Sequence, residues 1–180
     1  MLIQVSKELT SAAVLCVFVV APVYADVDSC MLGKWKPEEG QLQKQFGQLS
    51  QQQIKAVTGQ VILSFNKSGT GIYHMDNLTL SMKPPASGGP PMEITMVMNG
   101  KSDFNWSAGN KKFTMTNYNM KLKTSGFMKM GDQKIPLPSM PIKNDQAASG
   151  IADGSYTCSG NKLTFDAGNK DSILKKWQRI

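Results

Sequence analysis

Gly59-Gln60-Val61-Ile62-Leu63-Ser64-Phe65-Asn66-Lys67-Ser68-Gly69-Thr70-Gly71-Ile72 carries the fold assignment in miniature. Val61, Leu63 and Phe65 alternate with Ile62, Ser64 and Asn66. That two-residue period puts successive side chains on opposite faces of a strand. Asn66-Lys67-Ser68-Gly69-Thr70-Gly71 is a hairpin turn, because Asn and Gly accept the left-handed backbone a tight reversal needs. Ile72 to Met82 is then the returning strand.

Toward the C-terminus the pattern repeats. Pro84-Pro85-Ala86-Ser87-Gly88-Gly89-Pro90-Pro91 is expected to be an exposed loop, since proline has no amide hydrogen for a sheet ladder. In Met92 to Gly100, the side chains of Met92, Ile94, Met96 and Met98 share one face, and Glu93, Thr95 and Asn99 mark the other. Phe104 to Trp106 and Phe113 to Lys123 flank the turn Ala108-Gly109-Asn110, and Asn117 and Asn119 hint at a bulge that would upset the alternation. A hairpin at Gly131-Asp132 leads into the proline-rich Ile135 to Ile142. Strands at Gly154 to Cys158, Leu163 to Phe165 and Ile173 to Ile180 finish the chain, with turns at Gly160-Asn161 and Ala167-Gly168-Asn169.

Toward the N-terminus, Leu32 to Lys36 is a short opening strand. Leu42, Phe46, Leu49, Ile54 and Val57 recur at helical spacing among Gln and Lys, which predicts one amphipathic helix or two short ones. About eight to ten antiparallel strands with no helices between them predict an all-β fold, an antiparallel up-and-down β-barrel with one or two N-terminal helices. Closure would remove exposed strand edges and create an interior.

Met1 to Ala25 reads as a cleavable signal peptide. Lys7 lies in the n-region, Ala12 to Ala21 is almost wholly apolar, and Val23-Tyr24-Ala25 offers small residues to a signal peptidase. An apolar run of about ten residues falls short of the roughly twenty that span a bilayer. Cleavage near Ala25 leaves one domain, residues 26–180, in a secreted or periplasmic location. Cys16 departs with the signal, so Cys30 and Cys158 remain to pair in an oxidising compartment. A bridge closing a loop of more than roughly a hundred residues stabilises by about 4–5 kcal/mol in the chain-entropy model. A competing use of Cys30 is lipidation, since Val27-Asp28-Ser29-Cys30 faintly resembles a lipoprotein cleavage box; Cys158 would then be left odd.

The net charge is +7. The lysines are scattered singly or in pairs, as at Lys111-Lys112 and Lys175-Lys176, or alternate with apolar residues, as in Met120-Lys121-Leu122-Lys123. That is a solvated strand face with no nucleic-acid motif, so nucleic acid is not expected as a partner. Peripheral contact with an anionic envelope surface stays open. The twelve methionines are the compositional oddity, and they concentrate between Met75 and Met140.

Cys30 with Gly33-Lys34-Trp35, Asp76-Asn77-Leu78-Thr79-Leu80, Gly154-Ser155-Tyr156-Thr157-Cys158-Ser159-Gly160 and the closing Arg179 together resemble secreted bacterial lipocalin-like domains of the calycin superfamily. The resemblance implies a barrel in which Arg179 packs across Trp35 to clasp the two ends. It also implies a general capacity to hold small apolar molecules. The glutamine-rich segment after the first strand and the proline-rich loops depart from the usual pattern.

An inward row of Leu63, Phe65, Leu80, Met96, Met98, Phe104, Trp106, Met115 and Phe127 would line a pocket for a small hydrophobic molecule such as a lipid or fatty acid, with His74 as a polar contact. The same side chains are equally able to fill the barrel solidly, leaving an envelope interaction module. His74 is the only histidine, and Asp76 two residues on is placed to orient it, but no nucleophile elbow accompanies them. Catalysis and a cofactor are therefore not expected, and the chain reads as a monomeric binding protein. The alternative is copper: thioethers are soft ligands, and Met96, Met98, Met128 and Met130 at i and i+2 present paired sulfurs to Cu(I). Asn66-x-Ser68, Asn77-x-Thr79 and Asn105-x-Ser107 match the glycosylation sequon but are expected to be idle in a bacterial setting.

Overall fold

A computed structural model describes residues 27–49, 53–84, 91–141, 153–167 and 174–180. The signal segment, the core of the loop spanning Pro84 to Pro91, the end of the strand predicted to reach Ile142, the turn at Gly168-Asn169 and the start of the last predicted strand at Ile173 lie outside them. The elements are β1 (Gly33–Pro37), α1 (Gln41–Leu49), β2 (Gln53–Phe65), β3 (Thr70–Lys83), β4 (Met92–Gly109), β5 (Lys112–Met130), β6 (Gln133–Pro141), β7 (Asp153–Ser159), β8 (Lys162–Asp166) and β9 (Lys176–Arg179). The nine strands form one antiparallel sheet in the order β4-β3-β2-β1-β9-β8-β7-β5-β6, and β4 also pairs with β5. The sheet therefore closes roughly in a ring and is barrel-like. Among the described residues no helix is long and apolar enough to cross a membrane.

Boundaries differ from the sequence expectation: the strand expected to end at Lys123 runs on to Met130, and two further differences have clear causes. Ile54 and Val57 belong to β2, not to a helix. The ladder with β3 slips between Ile54 and Ala56, so the extra residue Lys55 leaves Ile54 and Val57 on one face three positions apart. A bulge thus imitates helical spacing. The predicted strands Met92 to Gly100 and Phe104 to Trp106 are one strand, because Gly100 takes a φ of +130° without breaking the pairing. A Cβ at Gly100 would stand 2.1 Å from the Lys121 carbonyl oxygen, so only glycine fits.

β5 is shared. Its first part, Lys112–Thr114, pairs with β7, whereas Lys123–Met130 pairs with β6. The ring therefore passes through the first part of β5, and the far ends of β2 to β5 continue beyond it with β6 at the margin. β6 carries Pro136, Pro138 and Pro141, which suits a margin because proline cannot donate to a further strand.

The chain ends meet. β1 lies between β2 and β9, and Cys30 is bonded to Cys158 across 128 residues with Cα atoms 6.0 Å apart. Such a bridge suggests an oxidising, extracytoplasmic environment. With its sulfur so engaged, Cys30 is not available for lipidation.

Candidate functional site

Inside the ring the space is taken by aromatic rings. Phe65 is the hub, 4.8 Å from Trp106, 6.0 Å from Phe104 and 6.2 Å from Phe165 between centroids. Phe113 meets Phe165 edge-on at 4.8 Å, and Phe104 meets Tyr118 at 5.7 Å. Tilted and edge-on contacts of this kind are the favourable ones for aromatic quadrupoles. Of the predicted lining, Leu63, Phe65, Phe104, Trp106 and Met115 all belong to this buried cluster. Trp35, Trp106 and Trp177 each donate the indole N–H to a backbone carbonyl, of Met31, Thr70 and Leu174 respectively. Buried indoles without such partners would be costly.

Above the aromatic tier runs a line of left-handed residues. Gly59 on β2 has φ +94°, Asn77 on β3 φ +48° and Gly100 on β4 φ +130°. The pairing slips at Thr58/Gln60 and at Met75/Leu78, and the Asn77 amide is held by the Asn99 carboxamide oxygen at 2.7 Å. Bulges of this kind bend strands and change which residues face inward. On β3 the inward set changes from Gly71, Tyr73 and Met75 to Leu78, Leu80 and Met82.

Beyond that crease the inward face becomes a second tier, built in cross-strand rows. Leu78 stands beside Met98 and Thr124; Leu80 beside Met96 and Gly126; Met82 beside Ile94 and Met128; and at the far end Met92 beside Met130. Ile135 and Leu137 of β6 extend the second and third of these rows. This wall is apolar and thioether-rich, and no charged side chain stands in these rows. Leu80 and Met98 are buried, whereas Met92, Ile94, Met96, Met128 and Met130 are only partly covered. The register therefore gathers all four predicted thioethers, Met96, Met98, Met128 and Met130, on one face, and adds Met92 and Met82.

Two predicted lining residues lie on the other side. His74 pairs with Ile62 and Lys101, on the face opposite Tyr73 and Met75. Phe127 pairs with Thr95, and the Lys134 ammonium sits 3.8 Å above its ring centre. The reason for Phe127 is the bulge at Asn117 (φ +54°), where the β4 ladder jumps from Asp103–Asn119 to Asn105–Thr116. Below it odd-numbered residues face inward, above it even-numbered ones. The lysines Lys101, Lys121, Lys123 and Lys129 alternate with the inward set and line the outer face.

At the junction of the tiers Tyr73, Ser102 and Met120 form one row. Ser102 is 2 % exposed, and its hydroxyl meets no hydrogen-bond partner among the described residues. Burial raises the Tyr73 phenol above its ordinary pKa. Burial raises Tyr118 too, with the Asp153 carboxylate adding to the shift. Neither Ser102 nor the crease was foreseen from the sequence; Asn77 was the available signal for the crease, since asparagine is enriched at left-handed positions. Among the described residues no group of three His, Cys, Asp or Glu side chains is placed to hold a metal ion.

No family model, curated protein or solved structure matches this chain.

Proposed function

We propose that this protein is a secreted or periplasmic, non-enzymatic, lipocalin-like barrel protein that holds a small hydrophobic or amphipathic molecule against its methionine-rich tier. The observation that carries this is the division of the inward face. The aromatic tier is filled by its own side chains, whereas the tier beyond the crease offers a partly covered apolar wall. Flexible thioethers adapt to varied apolar shapes, and ligand sites are mostly apolar with few polar groups. The Arg179–Trp35 stack supports the lipocalin likeness, and the bridge supports export.

An uncharged wall also bears on the ligand's chemistry. A carboxylate set among Leu80, Ile94 and Met96 would lose hydration, and the rows around it hold no cation among the described residues. A neutral head, such as an alcohol, ester or amide, loses far less. The basic balance does not alter this, because Lys101, Lys121, Lys123 and Lys129 line the opposite face.

Native mass spectrometry and solvent extraction of freshly purified protein test the reading, together with fluorescent long-chain alcohols and acids as probes. Uptake of the alcohol, weakened by Met96→Lys with the fold intact, is expected. A wild-type protein that carries no lipid-like molecule and takes up neither probe overturns it.

A further inference from the structure

The register places three thioethers together at the far end of the second tier. Met92 on β4 is directly opposite Met130 on β5, and Met128 lies two residues before Met130, diagonal to Met92 across the same ladder. Directly opposed residues have Cβ atoms about 5 Å apart and diagonal ones about 7–8 Å. A methionine side chain is unbranched with three rotatable bonds in all, so the three sulfurs can converge on one ion between the strands. All three are partly exposed, and the pair directly opposed on the other face, Glu93 and Lys129, points away from the cluster. The trio is thus an all-sulfur, uncharged donor set open to solvent.

We propose that Met92, Met128 and Met130 form a binding site for a soft monovalent cation, Cu(I) or its analogue Ag(I). Thioethers without imidazole, thiolate or carboxylate select such ions and offer little to Zn(II) or Mg(II). The site goes beyond the apolar-ligand reading and stands independently of it, because it rests on cross-strand register and sulfur chemistry. It also differs from the i and i+2 pairs legible in the sequence: Met98 lies three rows away, beside Thr124, and Met92 takes its place. Since a thioether has no proton to lose, affinity is independent of pH between about 5 and 8.

Ag(I) titration of the disulfide-intact mature protein, followed by native mass spectrometry, tests this without a reductant that would attack the bridge. One ion per chain is expected. Met92→Leu/Met130→Leu removes two of three tethered donors and should weaken binding on the order of a hundredfold. Leucine keeps the volume and apolarity, so the fold is retained, and circular dichroism of the variant verifies it. Met140→Leu, which alters an exposed thioether on β6, leaves binding unchanged. Affinity should be flat between about pH 5 and 8, because thioether donors carry no ionisable proton, and Zn(II) should not compete. Equal binding by the double variant, a fall in affinity between about pH 8 and pH 5, or displacement by Zn(II) overturns the site. Loss of lipid probe uptake alone leaves it standing.

Discussion

The guanidinium of Arg179 lies 4.3 Å from the centre of the Trp35 indole, and these two residues are directly paired in the β1–β9 ladder. Nη1 donates to the Leu32 carbonyl at 2.5 Å and Nη2 to the Cys30 carbonyl at 2.6 Å. One side chain on the last strand therefore ties down the backbone from which both the first strand and the disulfide start. Gly33 lies beneath it with φ +114°, where a Cβ would come within 3.0 Å of Nη1.

Lysine cannot reproduce that fork. Arg179→Lys keeps the charge but loses the planar stack and at least one of the two charge-assisted bonds, so a destabilisation of about 1–3 kcal/mol is expected in urea unfolding. Equal midpoints for the variant and the wild type would show that the stack contributes nothing.

Removing the bridge acts mainly on the unfolded chain. For a separation of 128 residues, Cys30→Ser/Cys158→Ser should lower stability by about 4–5 kcal/mol. Guanidinium unfolding with and without reductant measures this, and peptide mapping without reduction should recover the Cys30–Cys158 pair.

The two predicted lining phenylalanines should behave oppositely. Phe65→Ala empties the hub of the aromatic tier and is expected to cost about 3–5 kcal/mol. Phe127→Ala removes an outer-face ring whose polar contact is the Lys134 ammonium, with an effect of about 1 kcal/mol. Comparable losses by thermal unfolding would contradict the parity change at Asn117.

The crease has its own test. A Cβ at Gly59 would stand 2.2 Å from the Asn77 carbonyl oxygen, and its left-handed backbone alone costs a non-glycine residue about 1–2 kcal/mol. Gly59→Ala should therefore destabilise by more than that figure, whereas Asn117→Gly, outside the crease at the β5 bulge with φ +54°, should be neutral or mildly stabilising. Denaturant midpoints for the pair decide the matter.

Alkaline pH should weaken the fold. Burial holds the Tyr73 and Tyr118 phenols above their ordinary range, so the native state keeps protons that the unfolded state releases above about pH 10. Stability is then unaffected below about pH 10 and falls as pH rises beyond it. Phenolate absorbance followed alongside unfolding should show these two groups ionising as the protein unfolds, and Tyr73→Phe/Tyr118→Phe should flatten the decline.

Much of this architecture was legible locally. The alternation Val61, Leu63, Phe65 and the turn at Asn66 to Gly71 named β2 and β3 because both signals depend only on neighbouring residues. The cysteines named their own bridge once Cys16 was assigned to the signal. Ile54 and Val57 misled because one bulged residue turns a strand's period of two into the spacing of a helix turn. Phe127, read as part of the inward row, and His74, read as a polar contact for the ligand, both lie on the outer face.

The sequence by itself determined the all-β class, the main turns and the methionine bias, since each follows from residue type and short-range period; the Cys30–Cys158 pair, 128 residues apart, was an expectation that the tertiary structure decided. Tertiary structure alone decided which face each methionine occupies and that Met92 lies against Met130. Register is a long-range property: a single left-handed residue such as Asn117 inverts every side chain beyond it, and only the pairing with β4 reveals that it has done so.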